Sequence, residues 1–108
     1  RDQIHSSDVI AALERFRQDP RQGEAYNLGG GFQNSASVLE IISLLKKSFG
    51  LTLSWEYVDQ ARKGDHICYY SDLTKFKTHY PGFHLKYSLE HILEEMVQNA
   101  SAQSKQAA

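Results

Sequence analysis

Fifteen residues, Tyr26 to Glu40 (YNLGGGFQNSASVLE), restrict the fold more than any other stretch of the chain. Three consecutive glycines, Gly29, Gly30 and Gly31, permit positive φ and close backbone approach without steric cost, so they read as a turn after the short apolar run Tyr26 to Leu28. Ser37 followed three residues later by Glu40 is a capping box, which satisfies orphan N–H groups where a helix begins. Behind it Val38, Leu39, Ile41, Ile42, Leu44, Leu45 and Phe49 supply the apolar face of that helix, and Gly50 stands where a C-terminal cap belongs. The order is therefore strand, glycine turn, polar loop, helix.

A unit of this kind invites comparison with a dinucleotide-binding loop. Gly29 to Asn34 nearly fits G-x-G-x-x-G, and Glu56 or Asp59 lies at a suitable distance for a ribose-binding acid. The third glycine is replaced by Asn34, however, and the helix cap falls at Ser37, well past the glycines. A dinucleotide helix begins within them, so that its N-terminus faces the pyrophosphate. A chain of 108 residues is also too short for a doubly wound sheet. No cofactor is expected on this chain alone.

That length allows one domain with a modest core. Twelve Lys and Arg against thirteen Asp and Glu leave a net charge of −1, without the basic stripe that nucleic acid or an anionic membrane would require. No apolar run has membrane-spanning length and no secretory leader precedes Arg1, so a cytoplasmic location is expected. A first residue other than Met suggests a piece of a longer protein. Cys68 is the single cysteine; its apolar-aromatic surroundings, His66 to Tyr70, predict a buried, inert thiol. The histidines His79, His84 and His91 do not have metal-ligand spacing, so no metal site is expected.

Taken in order, Arg1 to His5 reads as an extended lead-in. Ser6 or Ser7 caps a helix with Val9, Ile10, Leu13 and Phe16 on one face, ended by Pro20. Leu51, Leu53, Trp55 and Tyr57 alternate within Leu51 to Val58, which predicts a strand. A charged loop, Asp59 to Asp65, leads to a second extended run, Ile67 to Ser71. Asp72 caps a short helix reaching Tyr80 before Pro81 and Gly82, and Ser88 caps a last helix bearing Leu89, Ile92, Leu93, Met96 and Val97. Residues 1–98 form the ordered unit, and 99–108 are expected to be a disordered tail. Alternating helices and strands predict an α/β class: a small mixed sheet of short strands with three to four helices.

Several short patterns recur in one order: Arg1-Asp2-Gln3-Ile4-His5 with Asp8, Tyr26-Asn27-Leu28-Gly29, Ser37-Val38-Leu39-Glu40, then Arg62-Lys63-Gly64-Asp65 with Ser71-Asp72 and Lys75. Together they resemble the C-terminal, substrate-binding part of the extended short-chain dehydrogenases/reductases, the NAD-dependent nucleotide-sugar epimerases and dehydratases. The GGG-x-x-N-S-x-S-x-L-E and G-D-H-x-x-x-Y-S-D-L strings are most similar to those of the CDP-paratose 2-epimerases (CDP-tyvelose epimerases). The resemblance runs from Arg1 to about Val97.

It implies a C-terminal lobe lacking its N-terminal Rossmann domain, from a parent isomerase that uses NAD and a CDP-hexose class of nucleotide-sugar. The parent's catalytic pair, Tyr-x-x-x-Lys, has no counterpart, since no tyrosine of this chain has a lysine four residues on. Alone, the chain is expected to lack epimerase activity, with no catalytic residues of its own. Two other readings stand beside it: a stand-alone, non-catalytic module for a nucleotide or a protein, and the lobe of a dehydratase or reductase.

By composition QARKGD is an ordinary solvated loop. In the family's Arg-x-Gly-Asp motif the arginine contacts the nucleotide diphosphate and the aspartate a ribose hydroxyl, so the resemblance implies Arg62 and Asp65, with Gly64 allowing the turn between them. A planar, permanently charged guanidinium suits a diphosphate better than a lysine does. Arg1 matches the arginine of the R-D-x-I-H motif, which also reaches the phosphates. Asp2 and His5 are expected to orient the lead-in, and the helix dipole is a sufficient account of Asp8. His66 reads equally as a pocket residue or a strand-edge histidine. Trp55, Tyr57, Tyr69 and Tyr70 read as core or sheet-face residues before a base-stacking surface, and Asn34 and Ser35 as turn formers before sugar contacts. Apolar surface left by an absent domain predicts self-association.

Overall fold

The first helix, α1 (Ser6–Gln18), opens on His5, whose Nδ1 accepts the Ser7 N–H at 3.1 Å. The cap is thus a histidine in place of either serine. Asp19 leaves helical geometry (φ −142°, ψ 72°), as a residue before proline must. These features come from the computed structural model, which describes residues 1–107. The buried stripe of α1 runs through Asp8, Ala12 and the half-buried Phe16, while Ile10 and Leu13 are exposed. The face is therefore rotated from the expected one, because a buried carboxylate takes part in it.

Helix α2 (Val38–Phe49) begins on the predicted capping box: Glu40 N–H donates to Ser37 Oγ and Ser37 N–H to Glu40 Oε2. Gly50 closes it in the left-handed region (φ 67°, ψ 16°), with its N–H on the Lys46 carbonyl. Helix α3 (Thr74–His79) is shorter than expected; Asp72 still serves its N-terminus by accepting Thr74 N–H and Oγ–H. Ser88 accepts the His91 N–H at the start of α4 (Leu89–Ala107), the capping role predicted for it.

The core lies between α1, α3 and the turn that follows. Ala12, Phe76, Tyr80 and Phe83 are buried, with Phe16, Tyr26 and Leu28 packed against them. Tyr26 and Phe83 meet Phe76 edge-on, with centroids 5.3 and 5.0 Å away, the geometry that aromatic quadrupoles favour. Asp8, 1% exposed, accepts the backbone N–H groups of Lys86 and Tyr87 and so ties α1 to the chain entering α4. Its role is that of a buried anchor, a stronger one than the helix dipole supplies. Helices α2 and α4 pack on each other.

Among the described residues there are four α-helices, one 3-10 turn (Phe32–Asn34) and no strand. The expected α/β class with a small mixed sheet is thereby corrected to an all-helical one. Asp2 and Ser35 make an isolated antiparallel bridge that extends no further. Tyr26–Leu28, Leu51–Val58 and Ile67–Ser71 run as irregular backbone. The physical reason is that alternation marks a segment able to pair, whereas a ladder needs a second segment alongside it. From Thr52 to Ala61 no backbone group bonds to another backbone group.

Two further expectations change. Residues 51–70 are exposed throughout, so Trp55, Tyr57, Tyr69 and Tyr70 are not core, and Cys68 is an exposed thiol. The segment from Asn99, expected to be a disordered tail, continues α4 to Ala107; its alanines, glutamines and lysine favour helix, and no glycine or proline interrupts it. Ala108, the tail's last position, lies outside the described residues. None of the helices is long and apolar enough to cross a membrane.

Candidate functional site

Asp2 gathers three distant segments. Its Oδ2 accepts N–H groups from Gly31 and Ser71, each at 3.0 Å. Burial works against its charge, but the Ser71 and Gly31 amides and the Ser71 hydroxyl prevail and hold the carboxyl below its ordinary range. The glycine turn fits tightly around this hub. A Cβ on Gly29 would strike Ser71 and the Asp2 carboxylate, and one on Gly30 would overlap the Gln3 carbonyl. Gly31 adopts φ 69° and ψ −176°, a region essentially closed to other residues. Gly29 and Gly30 thus serve a close approach of protein atoms, and Gly31 a backbone conformation.

Arg1 is fixed on both sides of its backbone. Its carbonyl accepts Ala36 N–H at 3.0 Å and its N-terminus donates to the Ala36 carbonyl at 3.1 Å. Asn34, 6% exposed, spends its side chain on the Tyr87 carbonyl and the Leu89 N–H, and Ser35 Oγ donates to Phe32. Ser35 therefore stabilises the turn, while Asn34 ties it to the start of α4. His5 stacks on Tyr87 (4.0 Å, 18°) and its Nε2 lies 2.8 Å from Glu95, so it orients the lead-in against α4.

Sixty residues further on, Arg62 to Asp65 form a turn closed by Asp65 N–H on the Arg62 carbonyl at 3.1 Å. Gly64 sits at φ 79°, which a turn of type II demands at its third position. The turn brings Asp65 onto the Arg1 guanidinium, and Arg62 lies 3.5 Å from the other Asp65 oxygen. His66 N–H adds a third donor. All four residues implied by the resemblance thus meet in one place. Two guanidiniums share one carboxylate, which leaves a positive balance, and the side chains of Arg62 and Arg1 remain 82% and 55% exposed.

Beside Arg1 runs a groove of about 510 Å³, lined by Ser35, Ser37, Phe32, Ile67 and Tyr69 among others. Phe32 and Ile67 were not singled out from the sequence. Their exposure depends on how the loop returns from Arg62 to Ser71, which no local pattern reveals. His66 has its ring 5.8 Å from Tyr69, at the margin of this groove. Trp55 and Tyr57 line neither of the grooves that take in Tyr69 and Tyr70.

Chemically the arrangement is a donor-rich, cationic edge next to a partly apolar trough, suited to holding an anion and not to moving a proton. Tyr26 Oη is 2.7 Å from His79 Nδ1, but its neighbour Lys75 is committed to Glu24 and the Ala25 carbonyl. Among the described residues no group of His, Cys, Asp or Glu is placed to hold a metal ion. No protein-family model, curated protein or solved structure matches the chain.

Proposed function

We propose that this chain is the substrate-binding, C-terminal part of an NAD-dependent nucleotide-sugar epimerase, similar to the CDP-paratose 2-epimerases, and catalytically incomplete alone. The observation that supports this reading is the meeting of Arg1 with Asp65, 64 residues away in sequence, and with Arg62 beside it, where Arg1 lines a groove. Arg62 and Arg1 supply bidentate donors to the diphosphate, whose charge suits two neighbouring guanidiniums. Asp65 aligns them, and a carboxylate with several lone-pair sites retains capacity for a ribose hydroxyl. Gly64 sets the turn. NAD and the Tyr-x-x-x-Lys pair belong to the rest of the parent enzyme.

Amide NMR with separate titrations of a CDP-sugar and NAD tests it. Shifts confined to Arg62–Asp65, Arg1 and the adjoining groove are expected with the CDP-sugar, and none with NAD. Arg62→Ala should weaken the CDP-sugar about tenfold, the scale of one lost charge-assisted pair. Saturable NAD binding at Gly29–Gly31, or an affinity indifferent to Arg62, would overturn the proposal.

A further inference from the structure

A second groove, of about 470 Å³, is lined by the glycine turn and shares Phe32 with the groove beside Arg1. It contains none of Arg1, Arg62 and Asp65, and it takes residues from three separate parts of the chain: Phe32, Tyr70, Lys77 and His84 carry its chemistry. Phe32 and Tyr70 meet edge to face at 5.4 Å and 67°, and they stay 73% and 49% exposed. Each therefore leaves ring surface open to a planar partner. Such surface stacks on heteroaromatic rings of any sequence or substitution.

The polar lining divides sharply by whether its groups are already used. Asp72 is committed to Thr74, and the Ser71 backbone N–H to Asp2. The side chains of Lys77 and His84, by contrast, make no hydrogen bond or ion pair with any described residue, the Lys77 backbone N–H alone being bound, to the Leu73 carbonyl. One oxygen of Asp72 is thus occupied, while a cation and an imidazole remain available to an anion. Gly31, without a side chain, keeps the floor open.

From these two observations we infer that the groove binds a planar heteroaromatic ring bearing a phosphate, the chemistry of a nucleoside monophosphate. The ring stacks on Phe32 and Tyr70 while Lys77 and His84 hold the phosphate. The volume falls in the range of small-ligand sites. Phe32 lines this groove and the one beside Arg1, but Tyr70, Lys77 and His84 belong to this one and not to the Arg62 turn, so variants at those three residues distinguish the two readings.

The test is a titration of the full chain with AMP, followed by amide NMR, beside adenosine and inorganic phosphate. Saturable shifts at Tyr70, Lys77 and His84 are expected with AMP, and markedly weaker binding of either part alone. Tyr70→Ala should weaken AMP about tenfold and Lys77→Ala about fivefold; both side chains are exposed, so the fold persists. Arg62→Ala should leave AMP binding here unchanged, which separates this site from the diphosphate turn. Shifts confined to Arg62–Asp65, inorganic phosphate binding as tightly as AMP, or affinity unaffected by Tyr70→Ala and Lys77→Ala would each overturn it.

Discussion

Asp2 shows how much one short side chain can organise. Its carboxylate joins the lead-in, the glycine turn and the return at Ser71, positions 69 residues apart in sequence. Because its folded pKa lies below the ordinary 3.8, it contributes stability that is present above that value and is lost as pH falls through the folded one. Asp2→Asn, which keeps the shape but loses the charge, should cost about 1–2 kcal/mol at pH 7. The difference from the parent should shrink below pH 3.8. Urea midpoints at neutral and acid pH check this, and a gap of equal size at both would refute the role. The sequence indicated Asp2 as an orienting residue, but not its partners, because Gly31 and Ser71 are brought to it only by the returning loop.

At the scale of elements, local chemistry marked some helix ends and missed others. Ser37–Glu40, Gly50 and Ser88 act as their types and spacing suggest, since a cap bonds within three residues of itself. By contrast α1 is capped by His5, Leu73 and not Asp72 holds the cap position of α3, and α4 runs on to Ala107. Ser37→Ala should therefore destabilise α2 by about 1 kcal/mol. The Ser37 N–H and then its hydroxyl hold the Glu40 carboxyl below the ordinary range, and the substitution should remove only the hydroxyl's share. Chemical denaturation measures the first effect and NMR titration of Glu40 the second; an unchanged midpoint would mean the box contributes nothing. Strand pairing was not legible in this way. Leu51–Val58 alternates cleanly, yet none of its side chains is buried.

For the molecule as a whole, the consequence is an unevenly filled shape. The radius of gyration is 17.0 Å, against roughly 13 Å for a compact chain of 100 residues. Residues 51–70 account for much of the exposed apolar surface, with Leu53, Trp55, Tyr57, Val58 and Ile67 between 46% and 107% exposed. Surface of this kind seeks cover. The isolated chain should associate as its concentration rises, and Trp55→Glu should suppress that association. Sedimentation checks it: a monomer at every concentration would refute the expectation. Emission of Trp55, the only tryptophan, should shift to the blue as association proceeds.

What this sequence determined by itself are features whose causes lie within a few residues: the capping box and glycine cap of α2, the Ser88 cap of α4, the glycine turn and the break before Pro20. The tertiary structure alone decided the rest. It rotated the buried face of α1 toward Asp8, left Leu51–Val58 without a ladder, exposed Cys68, and set Arg1 beside Asp65. The division has one physical reason: a cap or a turn satisfies its hydrogen bonds with its own neighbours, whereas a buried face, a paired strand or a converging ion pair depends on what the fold brings to it from elsewhere.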